Sequence, residues 1–235
     1  MATLMAETEA GRAPSPTECT PAQRLTRSLL GYGLVAGPFY VMVVLAQAFL
    51  RPGFDLIRHD ASLLSNGDFG WVQVVNFLLT GAMVIACAVG LRRALTGGRG
   101  ATWAPILLGI YGVGLVGAGL FIADPMTGFP VGTPAGRPTT VTTHGILHIV
   151  FAAAGFIGLI ACCMVMARRF AAENRPRWAA ASIATGVIFL AGFFGLASGS
   201  SEPVLVLFFW VALVLAWTWL AAVALHHYRR AASSS

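Results

Sequence analysis

Six apolar runs, each close to the roughly twenty residues that a bilayer core requires, constrain this chain more than any other feature. They fall at about 29–50, 71–91, 102–123, 144–167, 180–198 and 203–225. The runs are continuous rather than alternating, which argues against barrel strands. A helix satisfies its own backbone groups inside hydrocarbon, so six spanning helices are expected. The fold class is then all-α, a polytopic membrane helix bundle.

Composition supports this. The 235 residues are 57% hydrophobic and 10% charged, against about 25% charged in a soluble domain. All fifteen basic side chains are arginines, and they flank the apolar runs. No basic stripe with interleaved aromatics is present, so nucleic-acid binding is not expected. Cys87, Cys162 and Cys163 lie inside apolar runs and Cys19 in the polar leader, without a CxxC. They read as small buried hydrophobes rather than as a disulfide framework.

The runs divide the chain into a polar leader at 1–27, a transmembrane domain at 28–228 and a short tail at 229–235. The leader, rich in Ala, Thr, Pro and Glu, is expected to be disordered. It does not read as a signal peptide, because the first apolar run is too long and contains Pro38. The leader, the loops at 92–99 and 168–177, and the tail hold twelve of the arginines. Only Arg51, Arg58 and Arg137 lie on the alternate side. Positive charge stays inside, so both termini are expected in the cytoplasm of a multi-pass plasma-membrane protein. Trp71, Trp103 and Trp178 mark the edges of runs, where indoles favour the headgroup zone.

Two of the outer loops are about twenty residues long, a length often associated with function; the third, at 199–202, reads as a tight turn. In the third run, Gly112-Val-Gly114-Leu-Val-Gly117 formally matches GxGxxG, but no strand precedes it and the dinucleotide reading fails. Small residues at this spacing instead let helices approach closely.

The candidate chemistry gathers at the outer rim, where Asp55, Asp60, Asp68, Asp124 and Glu202 lie. His144-Gly-Ile-Leu-His148 places two imidazoles one helical turn apart on one face. Asp124 closes the preceding helix, and a hairpin could bring it to both rings. Two imidazoles and a carboxylate suit zinc with an open position for water. The bland alternative is a structural pair in which His148 hydrogen-bonds Asp124 or Asn76. Arg58-His59-Asp60-Ala61-Ser62 forms a second cluster: Arg58 could grip an anion, and His59, Asp60 and Ser62 could resemble parts of a nucleophilic site. In the alternative, Arg58 pairs with an outer carboxylate and Ser62 caps the entry to the next segment. His226 and His227 read as interfacial residues on the opposite side.

Several segments together resemble a family of bacterial and archaeal membrane proteins grouped as domain of unknown function 998. They include Gly37-Pro38, Arg51-Pro-Gly-Phe-Asp55, Arg58-His59 with Ser62, and Gly70-Trp-Val-Gln-Val-Val-Asn76. The series continues through Gly117-Ala-Gly-Leu-Phe-Ile-Ala-Asp124 and His144-Gly-Ile-Leu-His148. The resemblance spans most of the chain from residue 29 to 225 and implies a six-helix bundle. A more distant likeness, in kind only, is to the alkaline ceramidase and adiponectin-receptor superfamily of zinc membrane hydrolases. Those proteins have seven helices and carry their histidine pair on the last one.

Three functions are therefore open. One is a membrane-embedded enzyme acting on a lipid or another apolar small molecule, such as an isoprenoid. Asp124, His144, His148, Arg58, His59, Ser62 and Asn76 would carry it, with zinc at Asp124, His144 and His148 as the candidate cofactor site. The second is a non-catalytic accessory or lipid-binding protein. The third is a small transporter, against which stands the lack of a charged residue near the middle of any run.

Overall fold

The computed structural model describes residues 20–198 and 202–231. Six helices cross it: α1 (Pro21–Leu50), α2 (Gly70–Ala94), α3 (Trp103–Leu120), α4 (Thr143–Ala172), α5 (Pro176–Ala197) and α6 (Pro203–Arg230). All six are long and apolar enough to span a membrane, and none of the described residues forms a strand ladder. A 3-10 turn at Ala61–Ser65 lies between α1 and α2.

Each helix packs on its neighbours in sequence, and α6 returns to α1. The result is a closed ring of antiparallel neighbours. Aromatic side chains fill part of its interior: Trp217 of α6 lies 5.5 Å from Tyr40 of α1 and 5.6 Å from Tyr111 of α3, ring centre to ring centre. Apolar residues such as Met42, Phe49, Ile149 and Val211 face outward and are more than half exposed. That arrangement is stable only where the surroundings are themselves apolar, as in lipid.

The glycines of α3 explain how the ring closes so tightly. A methyl group added at Gly112 would stand 2.7 Å from Ile85 and 2.9 Å from the Gly81 carbonyl of α2. One added at Gly114 would stand 2.6 Å from the Cα of Gly155 in α4. The glycine ladder thus serves two interfaces at once, as close packing in membranes requires.

Several boundaries differ from expectation. Helix α1 begins at residue 21, inside the segment expected to be disordered. Thr20 caps it, taking a hydrogen bond from the Gln23 N–H at 3.2 Å while the Gln23 side chain accepts from the Thr20 N–H at 2.8 Å. This capping box, with Pro21 in the first turn, starts the helix well before its apolar stretch. Helix α6 runs on to Arg230, past the expected end of the sixth span. The rest of the leader (1–19, with Cys19), the end of the tail (232–235) and most of the expected tight turn (199–201) lie outside the described residues.

The two faces of the ring are unlike. One carries every described arginine except Arg51, Arg58 and Arg137, and Glu173 is its only described carboxylate. The other is covered by the segments 51–69 and 121–142, which fold into a lid over the ends of α1, α2 and α3. We call them the arginine face and the lid face. Trp71 and Trp103 are each 63% exposed at helix starts, as the belt reading expects, while Trp178 is half-buried against Phe170 and His226.

Candidate functional site

The lid is held by polar groups that bind backbone. His59 is 3% exposed, between the rings of Phe54 and Phe129. Its Nδ1 accepts the Asp55 N–H at 2.9 Å, so its proton sits on Nε2 and is donated to the Thr127 carbonyl at 3.1 Å. One neutral imidazole thereby ties the first lid segment to the second. Arg51, just after α1, donates to the Leu64 and Asn66 carbonyls and lies over the Phe129 ring at 4.9 Å. Burial pulls its pKa below the ordinary arginine value, and the Asp68 carboxylate acts in the opposite direction.

Arg58 and Ser62 take no part in a shared site with His59. Arg58 is largely exposed and pairs with Asp55 at 3.7 Å, a contact worth about 0–1 kcal/mol. The expected capping by Ser62 is corrected by the structure: Asp60 is the cap, accepting the Ser62 N–H at 2.8 Å. The Ser62 carbonyl accepts the Ser65 hydroxyl.

Asp124, His144 and His148 take three separate positions. Asp124 accepts the N–H of Thr142 at 3.0 Å and its hydroxyl at 2.7 Å. Thr142 in turn caps α4 by accepting the Gly145 N–H at 3.0 Å. The carboxylate therefore sits at a helix N-terminus, where negative charge is favoured. It lies so close to Gly145 that a Cβ there would stand 2.0 Å from Oδ2. The glycine between the two histidines is thus a steric requirement of the Asp124 contact.

His148 is buried, and its Nδ1 approaches the Ala118 carbonyl at 3.0 Å and the Phe121 carbonyl at 2.8 Å. Two acceptors fix a proton on Nδ1, and the imidazole caps the C-terminus of α3. Its ring meets Phe77 of α2 edge-on at 6.2 Å. His144 is exposed and packs on the Phe121 ring at 5.7 Å. The shared zinc set expected from these three residues is not assembled: among the described residues, no three His, Cys, Asp or Glu side chains gather as a metal-holding group. Spacing of four aligned the histidines, but Asp124 turned to the helix end and His148 turned to α3.

Asn76 belongs to a different constellation. Its Nδ2 donates to the Tyr40 carbonyl and to Gln73 Oε1, each at 3.2 Å, and Thr80 donates to its Oδ1 at 3.2 Å. Gln47 of α1 donates to the same Gln73 oxygen at 2.9 Å. All four side chains are buried, forming an amide ladder between α1 and α2. Gln47 Oε1 and Gln73 Nε2 have no hydrogen-bond partner among the described residues. The sequence reading singled out Asn76 as a partner for the outer rim and so gave Gln47 and Gln73 no role. Uncharged amides at 73 and 76 with a hydroxyl at 80 share one helical face, and that spacing was a visible signal.

The ring and its lid define the class: a multi-pass integral membrane protein of six helices with a folded extramembrane cap. The chain belongs to the family described as Protein of unknown function (DUF998), whose model matches residues 34–226. No curated protein and no solved structure matches it.

Proposed function

We propose that this protein is a non-catalytic membrane accessory or lipid-binding protein of the plasma membrane, with its arginine face in the cytoplasm. The observation that carries this reading is the bonding of His148, whose Nδ1 proton is shared between two carbonyls ending α3. The same economy holds for His59 and Asp124, whose polar atoms bind backbone groups or a capping hydroxyl. Groups so committed build a rigid lid and have little freedom for proton transfer. The arginine distribution supports the orientation.

The test compares stability with metal content in purified, detergent-solubilised protein. His148→Ala should lower stability by about 1–3 kcal/mol, the cost of leaving buried backbone groups unpaired, and Asp124→Ala by about 0.3–1 kcal/mol, because its contacts to Thr142 at the start of α4 are exposed. Zinc should be substoichiometric in the wild type and unchanged in both variants. Wild-type stability for both variants, or about one zinc per chain lost with His148→Ala, would restore the enzyme reading.

A membrane enzyme acting on an apolar substrate, such as a lipid or isoprenoid, is the second reading. It is favoured by one observation, the two unpaired amide atoms of Gln47 and Gln73. On this reading the amide ladder, rather than the Asp/His set, would meet the polar end of the substrate.

A further inference from the structure

His226 and His227, near the end of α6, were expected to be interfacial. The structure buries His227, which is only 4% exposed. His226 is half-buried, against the rings of Trp178 at 5.0 Å and Phe170 at 5.9 Å, centre to centre. It also has a partner that constrains its chemistry: Arg175 NH1 donates to His226 Nε2 at 3.2 Å. An arginine can only donate, and it cannot be deprotonated in a protein. The imidazole nitrogen must therefore offer a lone pair. The contact exists only for a neutral His226 with its proton on Nδ1.

The backbone holds Arg175 in place for this role. It ends the turn joining α4 to α5, and its N–H donates to the Phe170 carbonyl at 2.8 Å. Within the same turn the Glu173 N–H bonds the Arg169 carbonyl at 3.0 Å, and the Asn174 N–H bonds the Ala171 carbonyl at 3.1 Å. The Arg175–His226 contact thus ties a fixed hairpin to the end of α6. A second polar tie lies about two helical turns deeper in the same α5–α6 seam. There Trp219 Nε1 donates to Ser182 Oγ at 3.0 Å, and that hydroxyl donates to the Trp178 carbonyl at 2.8 Å. Neither an indole nor a serine hydroxyl titrates where an imidazole does. The inner tie is indifferent to protons, and the outer one depends on them.

The charged groups acting on His226 are Arg175 and Glu173 from the turn and Arg230 from its own helix. Arg169 of α4 lies beyond them and acts on His227, whose ring meets His226 edge-on at 5.0 Å. Glu173 is itself paired with Arg169 at 2.9 Å, Arg230 at 3.6 Å and Arg175 at 3.9 Å. Trp178 would tolerate an imidazolium against its face. Arg175 would not: a protonated Nε2 would turn a hydrogen towards the guanidinium, leaving two donors and two cations at hydrogen-bond distance.

We propose that the Arg175–His226 contact is an acid-released latch, closing the arginine end of the α5–α6 seam while His226 is neutral and opening it when the imidazole takes up a second proton. Only the neutral form is bonded, so a latched His226 takes up a proton less readily than a released one. The latch is therefore closed above the ordinary histidine value of about pH 6.5 and opens as pH falls below it. Release stops at the Ser182–Trp219 tie, so the part set free is the last two turns of α6. The device responds to acidification on whichever side of the membrane the arginine face meets, and it is independent of the role proposed for the lid face.

The test uses full-length protein in nanodiscs and follows backbone hydrogen–deuterium exchange at about pH 8 and about pH 5, corrected for the exchange of an unstructured peptide. In the wild type, protection across 222–231 should fall about tenfold on acidification while protection across 210–219 is retained. His226→Gln keeps an acceptor for Arg175 but cannot take up a proton, so its protection should be alike at both pH values. Arg175→Ala removes the donor, and the segment should exchange quickly at both. Equal wild-type protection at the two pH values overturns the proposal, as does a fall that persists in His226→Gln or extends equally to 210–219. The wild-type comparison needs no substitution, so a variant that fails to fold does not shield the proposal from refutation.

Discussion

At the scale of single residues, the lid face is a set of side chains doing the work of backbone. His59, Arg51 and Asp124 each join two parts of the chain through N–H or C=O groups, or through a capping hydroxyl. Arg51→Lys should therefore loosen the lid although the charge is kept. A lysine has no planar fork to reach the Leu64 and Asn66 carbonyls together while stacking on Phe129. The expected outcome is faster proteolysis within 51–69 in intact vesicles, with the helices still protected; unchanged cleavage would show that the two-point contact is dispensable. The sequence made the polarity of this rim legible but not its partners. Residue types at the rim suited a metal site, while the actual acceptors were carbonyls, which every residue carries and no composition reveals. Arg51 was therefore read only as an outer charge and given no bonding role, and His59 was assigned a chemical role when its two nitrogens tie loops together.

Between the residue and the whole, the helices show where the sequence speaks most clearly. Six apolar runs became six helices, because hydrocarbon leaves the backbone no other way to satisfy itself. Their ends were less legible, since capping groups such as Thr20 and Gln23 extend a helix beyond its apolar part. The glycine ladder of α3 was readable as a packing surface, and its geometry gives a graded prediction. Gly112→Leu and Gly117→Leu should sharply reduce folded yield, since even a Cβ at 117 would stand 2.2 Å from the Phe151 ring. Gly109→Leu is the control, because the nearest atom to a Cβ there is 4.0 Å away, on Ala88. Size-exclusion profiles in detergent should separate the three variants; equal yields would mean that the close contacts are not what holds α3. The amide ladder offers a second prediction at this scale. Gln73→Leu removes the shared acceptor of Gln47 and Asn76, and should cost about 1–2 kcal/mol, near the range for interhelical hydrogen bonds in membranes. A variant as stable as the wild type would mean that the unpaired Gln73 amide offsets the bonds that its oxygen accepts.

For the whole molecule, the arginine distribution makes a claim that geometry alone does not. A reporter active only in the cytoplasm, fused after residue 235, should be active, and an external reporter at the same place should be silent. The opposite pair of results would put the lid in the cytoplasm and the arginine face outside. The closed ring also has a consequence for how the protein is made. Helix α6 follows the other five in the chain, yet it fills notches on the first: a Cβ at Gly37 would stand 2.8 Å from Trp217, and one at Gly33 2.9 Å from Ala224. Until α6 enters the bilayer, a growing chain must carry α1 with those notches open. The α1–α2 hairpin, by contrast, can join its amides as soon as both helices are inserted. Biogenesis is thus divided into an early clasp and a late seal, and a chain halted before residue 203 would be an unsealed ring, a natural target for membrane quality control.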